Sequence, residues 1–269
     1  MTPSAPQGRL LIIAGSDSGG GAGIQADIKA ATMMGAYAAT AVTAITVQNT
    51  LGVTAVHPVP LDILAAQARA VLCDIGADAI KTGMLGDAAT VDLVAEILDE
   101  TGASAVIDPV MVAKGGAPLL ALPAVAAVRD KLVRRATLLT PNAPEAEALT
   151  GLEVASTDDL RRAGDALLKA GAKAVLMKGG HVPGARVTDV LMTADGETVF
   201  EGERIDSRHT HGTGCTLASA CATGLAQGLP LTAAVARAWD YVHEAMLRAP
   251  GFGAGHGPLD HGWPLRGRA

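Results

Sequence analysis

Aromatic residues are nearly missing from this sequence. Only two each of Trp, Tyr and Phe occur among 269 residues, so Ala, Val, Leu and Ile must fill any core, a composition suited to helices packed closely on a sheet. Cysteine is scarce too. Cys73, Cys215 and Cys221 are odd in number and never spaced Cys-x-x-Cys, which argues against a disulfide framework or a structural zinc site. There is no basic excess either: 21 Lys and Arg against 27 Asp and Glu leave a net charge of −6, where a nucleic-acid binder concentrates positive charge on one face. No stretch of 18 residues is free of polar groups, so no membrane span is expected. Residues 1–9 lack the basic start and apolar middle of a signal peptide. They read as a disordered polar arm, and the cytoplasm as the compartment. Repeats, low-complexity linkers and composition shifts are absent, so residues 10–269 read as one domain, although the length alone allows two at roughly 150 residues each.

What is present is alternation. Short apolar runs at 10–14, 79–81, 105–107, 137–140 and 174–177 predict buried strands, and the β-branched runs 38–47 and 53–59 predict an edge pair or flap. Helical periods fill 24–34, 61–72, 88–100, 122–132, 144–149, 158–170, 213–227 and 231–247. Strands near 187–193 and 197–205 form an expected hairpin turning at Asp195-Gly196, and the tail from Pro250 reads as irregular. Strands and helices in this order predict an α/β fold, a mostly parallel central sheet with helices on both faces.

Polar residues collect where the strands end: Asp17, Lys81-Thr82-Gly83, Asp108, Asn142 with Glu145, and Lys178-Gly179-Gly180. In an open parallel sheet those ends form one rim beside which ligands bind. A polar turn alone means little, but five together point to a site. The sharpest motif is His211-Gly212-Thr213-Gly214-Cys215, which opens an apolar helix. Its glycines allow a tight turn whose amides converge, and the helix N-terminus adds unpaired N–H groups, making an anion nest suited to a phosphoryl group. Cys215 lies where that field favours a thiolate; a plain buried cysteine at a helix start is the alternative. Cys73 and Cys221 fit a structural role better.

The first glycine run, Gly15 to Gly23, also joins a strand to a helix. No register gives Gly-x-Gly-x-x-Gly, and the next strand ends Thr46-Val47-Gln48 with no acidic residue to hold a ribose, so dinucleotide binding is poorly supported. Gly76 to Thr82 imitates a Walker A loop but lacks the glycine before Lys81. Asp27 either faces the glycine loop or is a solvated helix charge. Gln48-Asn49 allows turn chemistry. His209 and His211 have no partner at metal-like spacing and read as loop residues.

Seven motifs then stand in order: Gly15-Ser-Asp-Ser-Gly-Gly-Gly-Ala-Gly-Ile-Gln-Ala-Asp27, Val47-Gln-Asn-Thr50, Lys81-Thr-Gly-Met84, Asp108-Pro-Val-Met111, Thr140-Pro-Asn-x-x-Glu145, Met177-Lys-Gly-Gly-His181 and His211-Gly-Thr-Gly-Cys-Thr216. With the tail Gly255 to His261, this series resembles the hydroxymethylpyrimidine/phosphomethylpyrimidine kinases of the ribokinase-like superfamily, across about residues 10–261. The resemblance implies ATP-dependent phosphorylation of a pyrimidine methanol to its monophosphate and then its pyrophosphate for thiamine synthesis, with Mg²⁺ and a homodimer. It implies Cys215 as the base, with the Gly212, Thr213, Gly214 and Cys215 amides holding the transferring phosphoryl group. Gln48 would bond the aminopyrimidine, with Asp27 nearby, Met84 against the ring, and Gly15, Gly23 and Val110 in the same pocket. Lys178, Thr140 and Asn142 would serve ATP, and Lys114 would close over its phosphates. Asp108 and Glu145 would hold Mg²⁺, with Asn142 placing its waters. Most kinases of the superfamily have aspartate where this chain has Cys215, and the cysteine favours the pyrimidine branch. A pyridoxine/pyridoxal kinase is the nearest alternative. An NAD-dependent oxidoreductase would leave Lys178, Glu145 and the second glycine nest without roles.

Overall fold

The computed structural model describes residues 7–111 and 122–266. One sheet runs through them. Its strands are β1 (Arg9–Ser16), β2 (Tyr37–Asn49), β3 (Gly52–Pro58), β4 (Ala79–Thr82), β5 (Ser104–Ile107), β6 (Leu138–Leu139), β7 (Ala174–Met177), β8 (Arg186–Thr193) and β9 (Gly196–Glu203), in the spatial order β3-β2-β1-β4-β5-β6-β7-β8-β9. From β2 to β7 every pairing is parallel, while β3 at one edge and β8 and β9 at the other run antiparallel. The helices are α1 (Gly23–Met33), α2 (Leu61–Asp74), α3 (Ala88–Asp99), α4 (Leu122–Ala127), α5 (Ala143–Thr150), α6 (Thr157–Lys169), α7 (Thr213–Ala226) and α8 (Leu231–Leu247).

Strand parity sorts the apolar residues into two cores. Leu11, Ile13, Ile80 and Ile107 point to the side covered by α2, α3, α4, α5 and α6. Leu10, Ile12, Ala79 and Val106 point to the side covered by α1, α7 and α8. The same parity sends Lys81, two residues after Ala79, under α7. The chain leaves β1 through α1 to β2 on one side and later enters β4 on the other. The order in which the chain adds strands therefore reverses between β1 and β4, and the crevice at their carboxyl ends is where such sheets take ligands.

Three sequence expectations shift. Gln48 and Asn49 belong to β2 rather than to a turn after it. The helix expected over 122–132 is α-helical only to Ala127, then widens into a π turn over Val128–Leu132 and tightens into a 3₁₀ turn over Val133–Arg135, which buries Val128, Leu132 and the adjacent Val133. The arm expected over 1–9 cannot extend past residue 6. Gln7 N donates to the Gly35 carbonyl, and the Arg9 guanidinium is clasped by Asp78 at 2.5 Å as β1 begins. Lys114 lies outside the described residues. Among the described residues no helix is long and apolar enough to cross a membrane.

The two helices α7 and α8 approach closely because α7 is made almost entirely of small residues. A Cβ at Gly224 would lie 2.6 Å from Ala234 Cβ and 2.9 Å from its Cα. Gly224→Ala therefore sets a helix-propensity gain of about 1 kcal/mol against overpacking of about 1–3 kcal/mol. The expected outcome is net destabilisation of about 1 kcal/mol, read as a lower urea midpoint with an unchanged m-value. A raised midpoint would show that the helices can part at no cost.

Candidate active site

The first glycine run is wound around one carboxylate. Asp17, 2% exposed, accepts the Gly19 amide on Oδ1 at 2.8 Å and the Gly21 and Ala22 amides on Oδ2 at 3.1 and 2.8 Å. His211 Nε2 lies 2.9 Å from the same Oδ2. Burial pushes Asp17 up, but the His211 hydrogen bond and the backbone amides outweigh it and hold the carboxyl below its ordinary value. Asp17 is thus the hub of the loop, and His211 is its hydrogen-bond partner rather than a plain loop residue. Gly212 follows at φ +85°, where any side chain would overlap the Gly21 carbonyl. The two glycine motifs are pressed together.

Gly212 caps α7, and the first intrahelical bond runs from Thr216 N to Gly212 O. The amides of Gly214 and Cys215 precede that bond and face the crevice as donors. Beside them a Cβ at Gly214 would lie 3.3 Å from Lys178 Nζ and 3.8 Å from Asp108 Oδ2. Lys178 Nζ is 3.0 Å from Asp108 Oδ1 and 3.6 Å from Glu145 Oε2. Thr140 Oγ1 donates to the same Asp108 oxygen at 3.0 Å. Burial lowers the Lys178 pKa, but Asp108 and Glu145 more than offset it. Burial likewise pushes Glu145 up to about 7, against the pull of Lys178. Asn142 and Glu145 form a capping box on α5, Asn142 Oδ1 accepting the Glu145 amide while Glu145 Oε2 accepts the Asn142 amide. Next to Asp108, a small cavity is lined by Thr82, Gly83 and Val110, and the buried Thr82 hydroxyl has no partner.

Beneath the nest lies a buried ion pair. Lys81 Nζ is 2.8 Å from both Asp27 oxygens, neither residue is exposed, and Ser219 Oγ from α7 donates to Asp27 at 2.7 Å. Asp27 is therefore neither a solvated charge nor on the crevice surface. Cys215 stands above this pair and is partly exposed. Burial pushes its thiol up to about 12; Lys81 and the Gly23 amide pull the other way, and Asp27 and Asp108 add to the rise. Burial here opposes the thiolate that the helix end favours, because a half-charge does not offset the desolvation of a whole anion.

The remaining wall comes from β1, β2 and the turn after β4. A Cβ on Gly15 would lie 2.6 Å from Met84 Cε, and Gly23, at φ +54°, would clash with the Gly15 carbonyl if it carried one. Gly15, Gly23 and Met84 are thereby stacked. Gln48 Nε2 lies 3.3 Å from His211 Nε2, and Gln48 Oε1 lies 3.2 Å from Thr46 Oγ1. Sequence reasoning missed three supports: Lys81 as an internal cation, Ser219 as its second-row partner, and Thr46. The signal for Lys81 was available, a lysine inside a four-residue strand at the parity of Ala79. Ser219 gave none, being one small residue among many.

The family described as phosphomethylpyrimidine kinase matches residues 17–260. The chain is 48% identical over 264 residues to a hydroxymethylpyrimidine/phosphomethylpyrimidine kinase of Streptomyces coelicolor, covering 98% of each. It is also 48% identical to a bifunctional thiamine biosynthesis protein of Geobacter sulfurreducens, and there 95% of the chain spans 52% of the relative's length. Among solved structures, the ADP complex of Bacillus subtilis pyridoxal kinase superposes with a TM-score of 0.90 at 36% identity, covering 97% of this chain and 100% of the other. A phosphomethylpyrimidine kinase from Clostridium difficile gives 0.79 at 40% identity over 88% and 98%.

The buried pair yields a test. Lys81→Met leaves Asp27 without its cation, so the carboxyl must stay charged in an apolar site or take up a proton, with an expected loss of about 3–5 kcal/mol. Adding Asp27→Leu should return a large part of that loss in urea denaturation. A double variant as unstable as the single would mean that the cost is packing rather than charge.

Proposed function

The chain belongs to the phosphomethylpyrimidine kinase family, and from that membership we propose how its residues divide the work. It is an ATP-dependent kinase acting on hydroxymethylpyrimidine and on the resulting phosphomethylpyrimidine in thiamine biosynthesis. The observation that carries the assignment of roles is the convergence of the α7 nest, with Cys215, on Lys178 and Asp108 beyond the ends of β7 and β5.

The transfer needs little covalent help and much positioning of charge. In our reading the Gly214 and Cys215 amides receive the charge that gathers on the transferring phosphoryl oxygens, and Lys178 faces them from the side. Cys215 Sγ takes the substrate hydroxyl proton, so the active form of the residue is the thiolate. Lys81 and Asp27 lie below the reacting atoms, and Lys81 favours that thiolate. Gln48 bonds the polar edge of the pyrimidine, while Met84, Gly15 and Gly23 shape its bed. Thr140 and Asn142 serve the nucleotide side, as would Lys114.

The described residues suit Mg²⁺. Two hard carboxylates, Asp108 and Glu145, flank Lys178, and the orphaned Thr82 hydroxyl lies in the cavity beside Asp108. This is the sparse protein donor set that Mg²⁺ uses when phosphates and waters complete its shell, and the ion would neutralise charge between phosphates when bound. A homodimer is supported by the exposed apolar side chains Ile45, Val47 and Val56 on the β2–β3 edge. The exposed free thiol of Cys73 suits the reducing cytoplasm.

Purified protein, ATP and Mg²⁺ should add two phosphates in succession to hydroxymethylpyrimidine, resolved by mass. Turnover on pyridoxal alone would overturn the substrate. Cys215→Ser should lower kcat at least about 100-fold while the pyrimidine Kd stays within about threefold. Undiminished turnover would remove Cys215 from the proton transfer.

A further inference from the structure

We propose that Thr46 and His211 are positioning residues that hold the Gln48 amide one way round, and that this orientation sets the preference for an aminopyrimidine edge. The inference rests on the reading that Gln48 contacts the pyrimidine.

An amide's two ends are alike in shape, and its orientation is decided by its neighbours' hydrogens. Thr46, 4% exposed, has its Oγ1 2.7 Å from the Ser16 carbonyl oxygen. A carbonyl only accepts, so the single Thr46 hydroxyl hydrogen is used there. The contact of 3.2 Å between Thr46 Oγ1 and Gln48 then needs a donor on the Gln48 side, which is the amide nitrogen. At the other end, His211 Nε2 lies 2.9 Å from a carboxylate oxygen of Asp17. Carboxylates also only accept, so Nε2 carries a hydrogen whether the ring is neutral or charged. Nε2 then has no lone pair to accept from the Gln48 nitrogen that stands 3.3 Å away; turning the amide over puts the carbonyl oxygen there, where it shares that one hydrogen with Asp17. Two separate hydrogen counts select one orientation. The orientation in the structure, with Nε2 toward His211 and Oε1 toward Thr46, sets N–H against N–H at one end and oxygen against oxygen at the other, so the amide is assigned turned over.

Each of these contacts uses one lone pair or one hydrogen, so the carbonyl keeps a second lone pair and the nitrogen a second hydrogen for a ligand along the free edge. That edge matches a ring nitrogen beside an exocyclic amine, the pairing by which glutamine reads adenine. The amine falls on the His211 side and the ring nitrogen on the Thr46 side. A ring with a hydroxyl beside a carbon, as in pyridoxal, offers no such pair, and a buried partner left unmatched costs heavily in selectivity.

The test measures calorimetric Kd without ATP for hydroxymethylpyrimidine and for its analogue lacking the 4-amino group. Thr46→Val should weaken the amino compound about tenfold, the worth of one hydrogen bond, and shrink the amino-to-desamino ratio by the same factor. Thr46→Ser should restore both to within about threefold, since it keeps the hydroxyl. A Thr46→Val protein with the wild-type ratio would overturn the proposal, and Thr46→Ala is read in the same way if the valine variant does not fold. Gln48→Leu separates the two levels. If it leaves the ratio unchanged, the Gln48 reading fails and this inference with it; if it abolishes the ratio while Thr46→Val does not, only the positioning role fails.

Discussion

A lysine ammonium with no solvent contact forces much of the arrangement around it. Lys81 points under α7 because strand parity gives it no other side, and an unpaired charge there would be prohibitive. Asp27 from α1 answers it with both oxygens, and Ser219 from α7 answers Asp27. Three segments far apart in the chain are thereby fixed to one another. Gly83 packs against the same lysine: a Cβ there would lie 2.9 Å from Ala14 Cβ and 3.0 Å from Lys81 Nζ. A buried pair is weak evidence for stability. Its consequence here is positional, because it sets where α7 begins and what lies below Cys215.

Above the pair, two glycine motifs satisfy each other. Asp17 gathers the amides of the first loop, and His211 brings the second loop to the same carboxylate. A side chain on Gly212 would overlap the Gly21 carbonyl, and one on Gly21 would run into the His211 ring. The irregular tail also serves this junction. His211 N donates to the Gly257 carbonyl, His256 N donates to Thr50 O in the β2–β3 turn, and His261 Nε2 lies 2.9 Å from Thr216 Oγ1 in the first turns of α7. Burial pushes His261 down to about 4, so the ring that meets Thr216 is neutral at physiological pH.

The order of strands and helices was legible from apolar period, and the site's rim from polar residues at the ends of five strands. The nest at 211–215 was legible because glycine spacing at a helix start has few other uses. What the chain order did not disclose was depth. Asp27 and Lys81 lie 54 positions apart, and only the sheet's parity brings them together. Cys215 shows the same limit in electrostatics: the helix end predicts a thiolate, whereas enclosure among Asp27, Asp108 and packed backbone predicts a thiol. The π turn after α4 left no sign in composition.

Cys215 therefore rests as a thiol above a cation, and the transfer we assign to it needs the thiolate. Well below the folded-state value of about 12, the thiolate fraction rises tenfold with each pH unit. The measurement that bears most directly on this is kcat/KM for hydroxymethylpyrimidine between pH 7 and 10, since this quantity reports ionisations of the free enzyme. A climb approaching tenfold per pH unit with no plateau, absent from Cys215→Ser, is the predicted result. A flat profile over that range, or the same climb in the serine variant, would contradict the assignment of Cys215 as the base.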